Sequence, residues 1–195
     1  MTFYNVEQNT EEWMKLRLGK FTSSTFCDIM GKDSTVGYKN AILKVVYERI
    51  TGEIPEEYTN GWMERGKELE PQAKAWYEFN FTEVSNGGFF CDDWIGASPD
   101  AVVGDGLLEI KCPKYSTHMQ YLIDNTLPAK YKWQVQGQLF IAEKEYCDFL
   151  SYHPKLRPMC LRIGRNEKQI KELKLKLEEA INEAQKTIEV IKNGL

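Results

Sequence analysis

The most informative part of the sequence is the segment 97–113, which reads ASPDAVVGDGLLEIKCP. Its apolar runs on either side of Gly-Asp-Gly predict two strands joined by a tight turn. Side chains alternate between the two faces of a strand, so Glu109 and Lys111 point the same way, and the hairpin can return Asp100 to the side of Glu109. Two carboxylates and one ammonium in an apolar setting cost free energy unless they pair or hold a metal ion. The segment therefore predicts a functional site.

The chemistry that suits these three side chains is metal-assisted hydrolysis of a phosphodiester. Asp100 and Glu109 would supply hard oxygen ligands to Mg²⁺, with Mn²⁺ as a possible substitute. The metal ion would lower the pKa of a bound water, and Lys111 would orient that water or neutralise charge in the transition state. The alternative is an ordinary hairpin with a surface Glu–Lys pair. The apolar flanks, Pro99 and the Cys-Pro after the lysine favour a site.

Pro99-Asp100 and Glu109-Ile110-Lys111 resemble the motif of the PD-(D/E)XK nucleases, and the wider chain resembles their lambda exonuclease and YqaJ-like recombinase branch. The resemblance implies an α/β fold with a restriction-endonuclease-like core, in which helices flank a central mixed β-sheet. It also implies that Asp100, Glu109 and the Ile110 carbonyl hold the metal ion.

Composition limits the class of protein. The 195 residues are 42% hydrophobic and 28% charged, which predicts one globular domain over residues 1–195. No apolar run approaches the roughly 20 residues of a membrane span, and the N-terminus lacks the pattern of a signal peptide, so we expect no membrane partner and a cytoplasmic location. The net charge of −4 argues against a protein that coats DNA non-specifically. Five scattered cysteines without a C-x-x-C pair argue against a zinc ribbon, an iron–sulfur cluster or a disulfide framework.

A second motif lies in the segment 13–24, WMKLRLGKFTSS. The preceding residues NTEE predict a capping box, with Asn9 opening a short helix. The Thr/Ser cluster at 22–24 predicts the N-terminus of a second helix, whose free N–H groups could bind an anion together with the hydroxyls and Arg17. Plain capping by Thr22 or Ser23, with Arg17 on the surface, is the alternative. The segment resembles the family motif W-x-x-L-R-x-G-x-I-T-A-S. That resemblance implies that Arg17, Ser24 and Ser98 bind the 5′ phosphate of a DNA end.

Residues 62–77 predict a long helix that carries the third motif, G-x-x-x-E-P-x-A, from Gly66 to Ala73. The resemblance implies that Glu70 faces the active site and completes its acidic set, although a solvated helix glutamate is the alternative. Trp62 or Met63 is a candidate wedge against the end of the duplex, and Met63 is the one assigned to DNA contact.

The fourth motif is YKWQVQGQ, residues 131–138. Gln134 and Gln138 fall on one face of a predicted helix, where their amides could bind DNA phosphates or a metal-bound water. The resemblance to the family's Y-x-x-Q-x-Q motif implies that Gln134 assists catalysis and that Tyr131 contacts DNA.

The chain ends in a predicted amphipathic helix at about 166–193, which could pack on the sheet or contact another subunit. By resemblance we expect a ring-shaped homotrimer around DNA that passes single strands to an annealing recombinase partner. These implications converge on a Mg²⁺-dependent exonuclease that degrades duplex DNA from 5′ to 3′, encoded by a phage or prophage and working in the cytoplasm of a bacterial host. The alternatives are an endonuclease built on the same core and a DNA-end-binding adaptor without activity.

Overall fold

The structure, a computed structural model, describes residues 1–55 and 61–194, without the side chains of residues 61–65 and 67. The strands in these ranges are β1 (Thr2–Tyr4), β2 (Phe21–Thr22), β3 (Ser85–Asn86), β4 (Phe89–Cys91), β5 (Ile95–Ala97), β6 (Ala101–Val103), β7 (Gly106–Lys111), β8 (Tyr146–Ser151) and β9 (Met159–Gly164). The helices are α1 (Glu11–Arg17), α2 (Phe26–Ile29), α3 (Val36–Thr51), α4 (Gly61–Asn80), α5 (Tyr115–Asp124), α6 (Lys132–Ile141) and α7 (Glu167–Asn193). Within this part of the chain no helix combines the length and the apolar character that a bilayer crossing requires.

The strands form two mixed sheets. The first sheet has the order β1-β4-β5-β2 and the second has the order β3-β6-β7-β8-β9. β2 is parallel to β5 and β7 is parallel to β8, whereas the other pairs are antiparallel. The predicted mixed α/β class is confirmed, but two sheets take the place of one central sheet. The division arises because β5 pairs with β2 and β4, whereas β6, three residues further on, pairs with β3 and β7.

The catalytic hairpin of the sequence prediction lies in the middle of the second sheet. β7 is hydrogen-bonded to a strand on each side and is buried on both of its faces. Leu108 and Ile110 pack in one apolar cluster with Tyr77 of α4, and Leu107 packs in another cluster with Leu139 of α6. Fully burying one such side chain contributes about 1.5–3 kcal/mol relative to leaving it in water. β7 is therefore a rigid base for the polar side chains at its end.

Helices α2, α3 and α7 pack together over β2 and β5 of the first sheet. Asn166 caps α7 by accepting a hydrogen bond from the Gln169 N–H at 3.1 Å. The buried residues of α7 are Ile170, Leu173, Leu177, Ala180 and Ala184. All of them except Ile170 lie in the same apolar cluster as Tyr38 and Val45 of α3, so this helix contributes to the core instead of standing free.

Helix α1 begins one residue later than the sequence predicts. The Thr10 hydroxyl, not the Asn9 side chain, accepts the hydrogen bond from the Trp13 N–H, at 3.3 Å. Asn9 has a φ of 65°, which is outside the extended region that an N-cap residue adopts. Asparagine tolerates this left-handed conformation better than most residues, so it precedes the cap.

A buried polar cluster fastens α4 to the second sheet. The Tyr77 hydroxyl donates to Asp148 Oδ2 at 2.6 Å, and Arg162 donates to both oxygens of the same carboxylate at 2.8 and 2.9 Å. Asp148 is buried in β8, and its burial is offset by these three donors. Tyr77 lies two helical turns after Glu70, so the cluster also fixes the position of that glutamate.

Tyr77→Phe is expected to lower the free energy of unfolding by about 1.5–3 kcal/mol, because it removes a buried hydrogen bond to a charged group. Urea unfolding followed by tryptophan fluorescence measures the change. Tyr38→Phe is the matched control: Tyr38 is equally buried, but its hydroxyl donates to the exposed Glu183 at 2.9 Å. That carboxylate regains water, so we expect a loss of no more than about 1 kcal/mol. Equal losses in both variants would contradict the special role of Tyr77.

Candidate active site

The β6–β7 hairpin brings Asp100 and Glu109 together. Val103 pairs with Gly106, which leaves a two-residue turn at Gly104 and Asp105. Gly104 has a φ of 56°, as a tight hairpin turn with positive φ requires. Asp100 precedes β6, and its side chain reaches across to β7, where Oδ2 accepts the Ile110 N–H at 2.5 Å. The predicted hairpin geometry is confirmed.

Glu109 is a buried carboxylate with partners on both oxygens. Its Oε1 accepts from Gln134 Nε2 at 2.6 Å and pairs with the Lys111 ammonium, and its Oε2 accepts from Gln138 Nε2 at 2.5 Å. The side chain is only 2% exposed. Burying a carboxylate costs free energy unless hydrogen bonds or an opposite charge offset it, and here two amides of α6 and the Lys111 ammonium do so.

The charges at this strand end act on one another. Burial raises the pKa of Asp100 well above its ordinary value, and the neighbouring charges of Glu109 and Glu70 raise it further, whereas Lys111 opposes them. For Lys111, burial acts to lower the pKa, but the carboxylates of Glu109 and Asp100 outweigh it and hold the pKa above its ordinary value. Lys111 is therefore a persistent ammonium beside two carboxylates.

Glu70 lies on α4 and lines, together with Asp100, a cavity of about 750 Å³ that we call the acidic cavity. The sequence prediction that Glu70 faces this site agrees with its position. Three carboxylates and one ammonium leave this corner of the molecule with a negative charge. No set of three or more His, Cys, Asp or Glu side chains with metal-binding geometry occurs among the side chains that the structure describes.

The residues nevertheless fit a divalent cation. Asp100 and Glu109 offer hard oxygens. Burial and the charges of Glu109 and Glu70 raise the pKa of Asp100, and a cation bound beside it would oppose that shift. Mg²⁺ is bound through one or two carboxylates and keeps several waters, so Asp100, which lines the acidic cavity, and its neighbour Glu109 suffice for it. The Ile110 peptide is adjacent, since its N–H binds Asp100, and its carbonyl stays a predicted ligand.

Arg17 and Ser24 line a second cavity of about 630 Å³, which we call the basic cavity because Lys20 and Lys44 also line it. The Arg17 guanidinium lies 3.5 Å from the Thr22 hydroxyl, which in turn lies 3.1 Å from the Ser24 hydroxyl. A guanidinium and hydroxyls in one cavity can bind a phosphate.

Ser98 is connected to this group through Trp13. The Trp13 indole N–H donates to Ser98 Oγ at 2.6 Å, and the Arg17 guanidinium lies 4.1 Å from the centroid of the same ring. Trp13 also lines the basic cavity. The three residues predicted to bind a phosphate thus form one connected group, and their role as ligands stays a prediction.

The two cavities share Asn9, which lines both of them. The acidic cavity carries Asp100 and Glu70, and the basic cavity carries Arg17 and Ser24. A nucleotide whose phosphate lies at Arg17 could therefore extend past Asn9 toward the carboxylates.

Two further predicted DNA contacts have different outcomes. Tyr131 is half-buried, and Lys111 Nζ lies 5.3 Å from the centroid of its ring, so it adjoins the site. Met63 falls within α4, but its side chain lies outside the described residues.

Comparison with known proteins adds an independent observation. The family model of the YqaJ-like viral recombinase domain matches residues 12–145. The chain belongs to this family. The match covers all four motifs, and the second sheet of this YqaJ-like protein continues beyond it through β8 and β9.

Solved structures place the YqaJ-like chain among alkaline exonucleases of the PD-(D/E)XK type. The alkaline exonuclease of Laribacter hongkongensis, LHK-Exo, is 34% identical, with a TM-score of 0.88 over 95% of this chain and 97% of that one. The same enzyme in complex with dAMP superposes with a TM-score of 0.89. A phage-related exonuclease from Haemophilus somnus 129PT shares the fold at 18% identity, with a TM-score of 0.72 over 91% of this chain and 99% of that one.

A viral relative is much longer. The protein R354 of Acanthamoeba polyphaga mimivirus is 28% identical in an alignment of 162 residues, and the match covers 74% of the YqaJ-like chain. The chain spans 29% of the length of that protein.

Two contacts were not predicted from the sequence. Gln138 binds Glu109 as closely as Gln134 does, although only Gln134 was assigned to the site. The i, i+4 spacing of the two glutamines was the available signal, because both amides must face the same strand. Trp13 was noted as part of a motif but not as the link between Arg17 and Ser98, which depends on a contact between residues 85 positions apart.

Proposed function

We propose that this YqaJ-like protein is a metal-dependent exonuclease that degrades duplex DNA from its 5′ ends and releases mononucleotides. The observation that carries the proposal is the adjacency of the acidic cavity, with Asp100, and the basic cavity, with Arg17. LHK-Exo supports it as an alkaline exonuclease whose complex contains dAMP, a mononucleotide.

In the proposed mechanism Asp100, Glu109 and the Ile110 carbonyl hold Mg²⁺, or Mn²⁺ in its place. When bound, the ion would supply a water of lowered pKa and would offset charge on the phosphoryl oxygens. Lys111 holds the attacking water and stabilises the negative charge that grows on the phosphate. Gln134 keeps Glu109 oriented, and Glu70 adds negative charge next to Asp100.

The 5′ end is held by Arg17, Ser24 and Ser98 in this proposal. With the terminal phosphate at Arg17, the next phosphodiester lies toward the carboxylates. Water attacks its phosphorus and the bond from phosphorus to the 3′ oxygen breaks, so a nucleoside 5′-monophosphate leaves. The shortened strand keeps a 5′ phosphate and becomes the next substrate. Tyr131 and Met63 are proposed to contact the duplex.

We propose a role in recombination by annealing, in line with the viral recombinase family. Removal of the 5′ strand leaves a 3′ single strand, which a single-strand-annealing protein would receive. A ring-shaped trimer around DNA, a phage or prophage source and a location in the bacterial cytoplasm complete the proposal.

The test compares linear duplex DNA carrying 5′ phosphates with the same DNA carrying 5′ hydroxyls and with a covalently closed plasmid. With Mg²⁺ we expect release of mononucleotides from the linear DNA. Release should be about tenfold or more faster from 5′-phosphorylated ends, because a 5′-hydroxyl end lacks the charge-assisted contact between the phosphate and Arg17. We expect no release in EDTA and an intact plasmid.

The alternatives give different results. Cleavage of the closed plasmid would identify an endonuclease on the same core. Absence of hydrolysis with both Mg²⁺ and Mn²⁺, together with binding to DNA ends, would identify an adaptor without activity.

A further inference from the structure

The predicted phosphate ligand Arg17 is the first residue of a tight turn. Leu18 has φ −57° and ψ 128°, Gly19 has φ 69°, and the Lys20 N–H donates to the Arg17 carbonyl at 3.2 Å. These values define a type II turn, in which the third residue must adopt a positive φ. The turn leads from α1 into β2 and then to Ser24, so its position sets the distance between Arg17 and Ser24.

Two consecutive residues of α3 hold both peptide groups of Gly19. The Gly19 N–H donates to Glu48 Oε2 at 2.7 Å, and Arg49 Nε donates to the Gly19 carbonyl at 2.7 Å. Glu48 is 5% exposed and also lines the basic cavity. A buried carboxylate and an arginine used in this way fix a backbone segment more firmly than a surface pair can, because both hydrogen bonds involve a charged group.

Arg49 also contacts the segment that leads to Ser98, the third predicted phosphate ligand. Its guanidinium lies 3.4 Å from the centroid of the Trp94 ring and donates to the Asp93 carbonyl. Residues 92–94 lead directly into β5, and Ser98 follows the end of that strand. One side chain thus connects the turn that begins at Arg17 with the segment that leads to Ser98.

We propose that Glu48 and Arg49 are positioning residues that set the selectivity of this protein for 5′-phosphorylated DNA ends. They act by fixing the Gly19 turn and the Asp93–Trp94 segment, and so the spacing of Arg17, Ser24 and Ser98. This inference rests on the proposed function, since it concerns the residues proposed to bind the end of the DNA strand.

The experiment measures binding and hydrolysis separately. Affinity for fluorescent duplexes with a 5′ phosphate or a 5′ hydroxyl is measured by anisotropy in EDTA, and nucleotide release from the same duplexes is measured in Mg²⁺. We expect Arg49→Met to lower the ratio of affinities for the two ends by about tenfold or more, because the loss of charge-assisted hydrogen bonds lets the turn move. Arg49→Lys keeps one donor for the Gly19 carbonyl and is expected to give an intermediate ratio.

Arg165→Met is the matched control. Arg165 is as exposed as Arg49 (21% against 22%) and also donates to a backbone carbonyl, at 2.5 Å, but that carbonyl belongs to Leu139 of α6 and not to the Gly19 turn. We expect Arg165→Met to lower thermal stability about as much as Arg49→Met while leaving the ratio within about twofold.

The outcomes are distinct. An unchanged ratio in Arg49→Met, or an equal fall in both variants, would overturn the positioning role. If the wild type bound 5′-phosphorylated and 5′-hydroxyl ends with equal affinity, the proposed phosphate site would be refuted, and the inference would fall with it. A wild type that prefers the 5′ phosphate but hydrolyses nothing would refute the proposed nuclease, and a fall in the binding ratio of Arg49→Met would then still support the inference.

Discussion

Lys111→Ala is expected to reduce the rate of nucleotide release about a thousandfold with little change in the affinity for DNA ends. Lys111 places its ammonium on Glu109 Oε1 and lies 5.3 Å from the Tyr131 ring centroid. A fixed positive charge in a largely buried site stabilises developing negative charge far more than it would in water, and the loss of one such group typically costs about 10²–10³ in rate. Single-turnover release of mononucleotides from 5′-phosphorylated duplex, with Mg²⁺ saturating, measures the effect.

Lys130→Ala is the control for Lys111→Ala. Lys130 Nζ lies 4.8 Å from the centroid of the same Tyr131 ring, but Lys130 is exposed. We expect the rate of nucleotide release to fall by less than about tenfold in this variant, in keeping with the small contribution of an exposed charge. If Lys111→Ala retained more than about a tenth of the wild-type rate, Lys111 would not be the catalytic lysine.

Asp100→Asn is expected to produce a more stable protein that lacks activity. Burial and the charges of Glu109 and Glu70 raise the pKa of Asp100. A carboxyl whose pKa is raised by folding favours the folded state only while it is protonated, and this contribution is lost as the pH rises through its pKa in the folded state. At neutral pH the asparagine avoids that loss, and its carbonyl can still accept the Ile110 N–H. We expect the free energy of unfolding in EDTA to rise by about 1–2 kcal/mol and hydrolysis to fall about a thousandfold.

Asp148→Asn is the comparison variant, and we expect it to lower the free energy of unfolding instead of raising it. Asp148 is also a buried aspartate, but Tyr77 and Arg162 donate to it. Removing its charge weakens those bonds, so we expect a loss of about 1–2 kcal/mol. Urea unfolding of both variants decides the matter: a less stable Asp100→Asn would mean that the Asp100 carboxylate is already balanced and is not held ready for a cation.

The local parts of this structure were the predictable ones. The hairpin from Ala101 to Lys111 follows from a short turn and alternating strands, so the approach of Asp100 to Glu109 could be predicted from residues within ten positions of each other. The family resemblance added Glu70, which lies on helix α4, outside the hairpin, and lines the same cavity as Asp100. Spacing alone could not distinguish it from a solvated glutamate.

Long-range pairing could not be predicted. The division into two sheets depends on β2 joining β5, which pairs Phe21 with Ile95. Nothing near either strand indicates that partner. Helix α3 packs its apolar residues in the core, and the polar residues Glu48 and Arg49 near its end carried no local signal for their contacts with Gly19. Such contacts arise only when the tertiary structure brings two distant segments together.

The division into two sheets has an evolutionary consequence. Arg17, Ser24 and Ser98 belong to the surroundings of β2 and β5, whereas Asp100, Glu109 and Lys111 belong to the surroundings of β6 and β7. Residues 98–100, after β5, join the two groups along the chain. Under the proposed function, mutations around the first sheet would change which strand ends are accepted and would leave the proposed hydrolytic residues intact. In this proposal, recognition of DNA ends and hydrolysis depend on separate groups of residues, so selection could alter the first without altering the second.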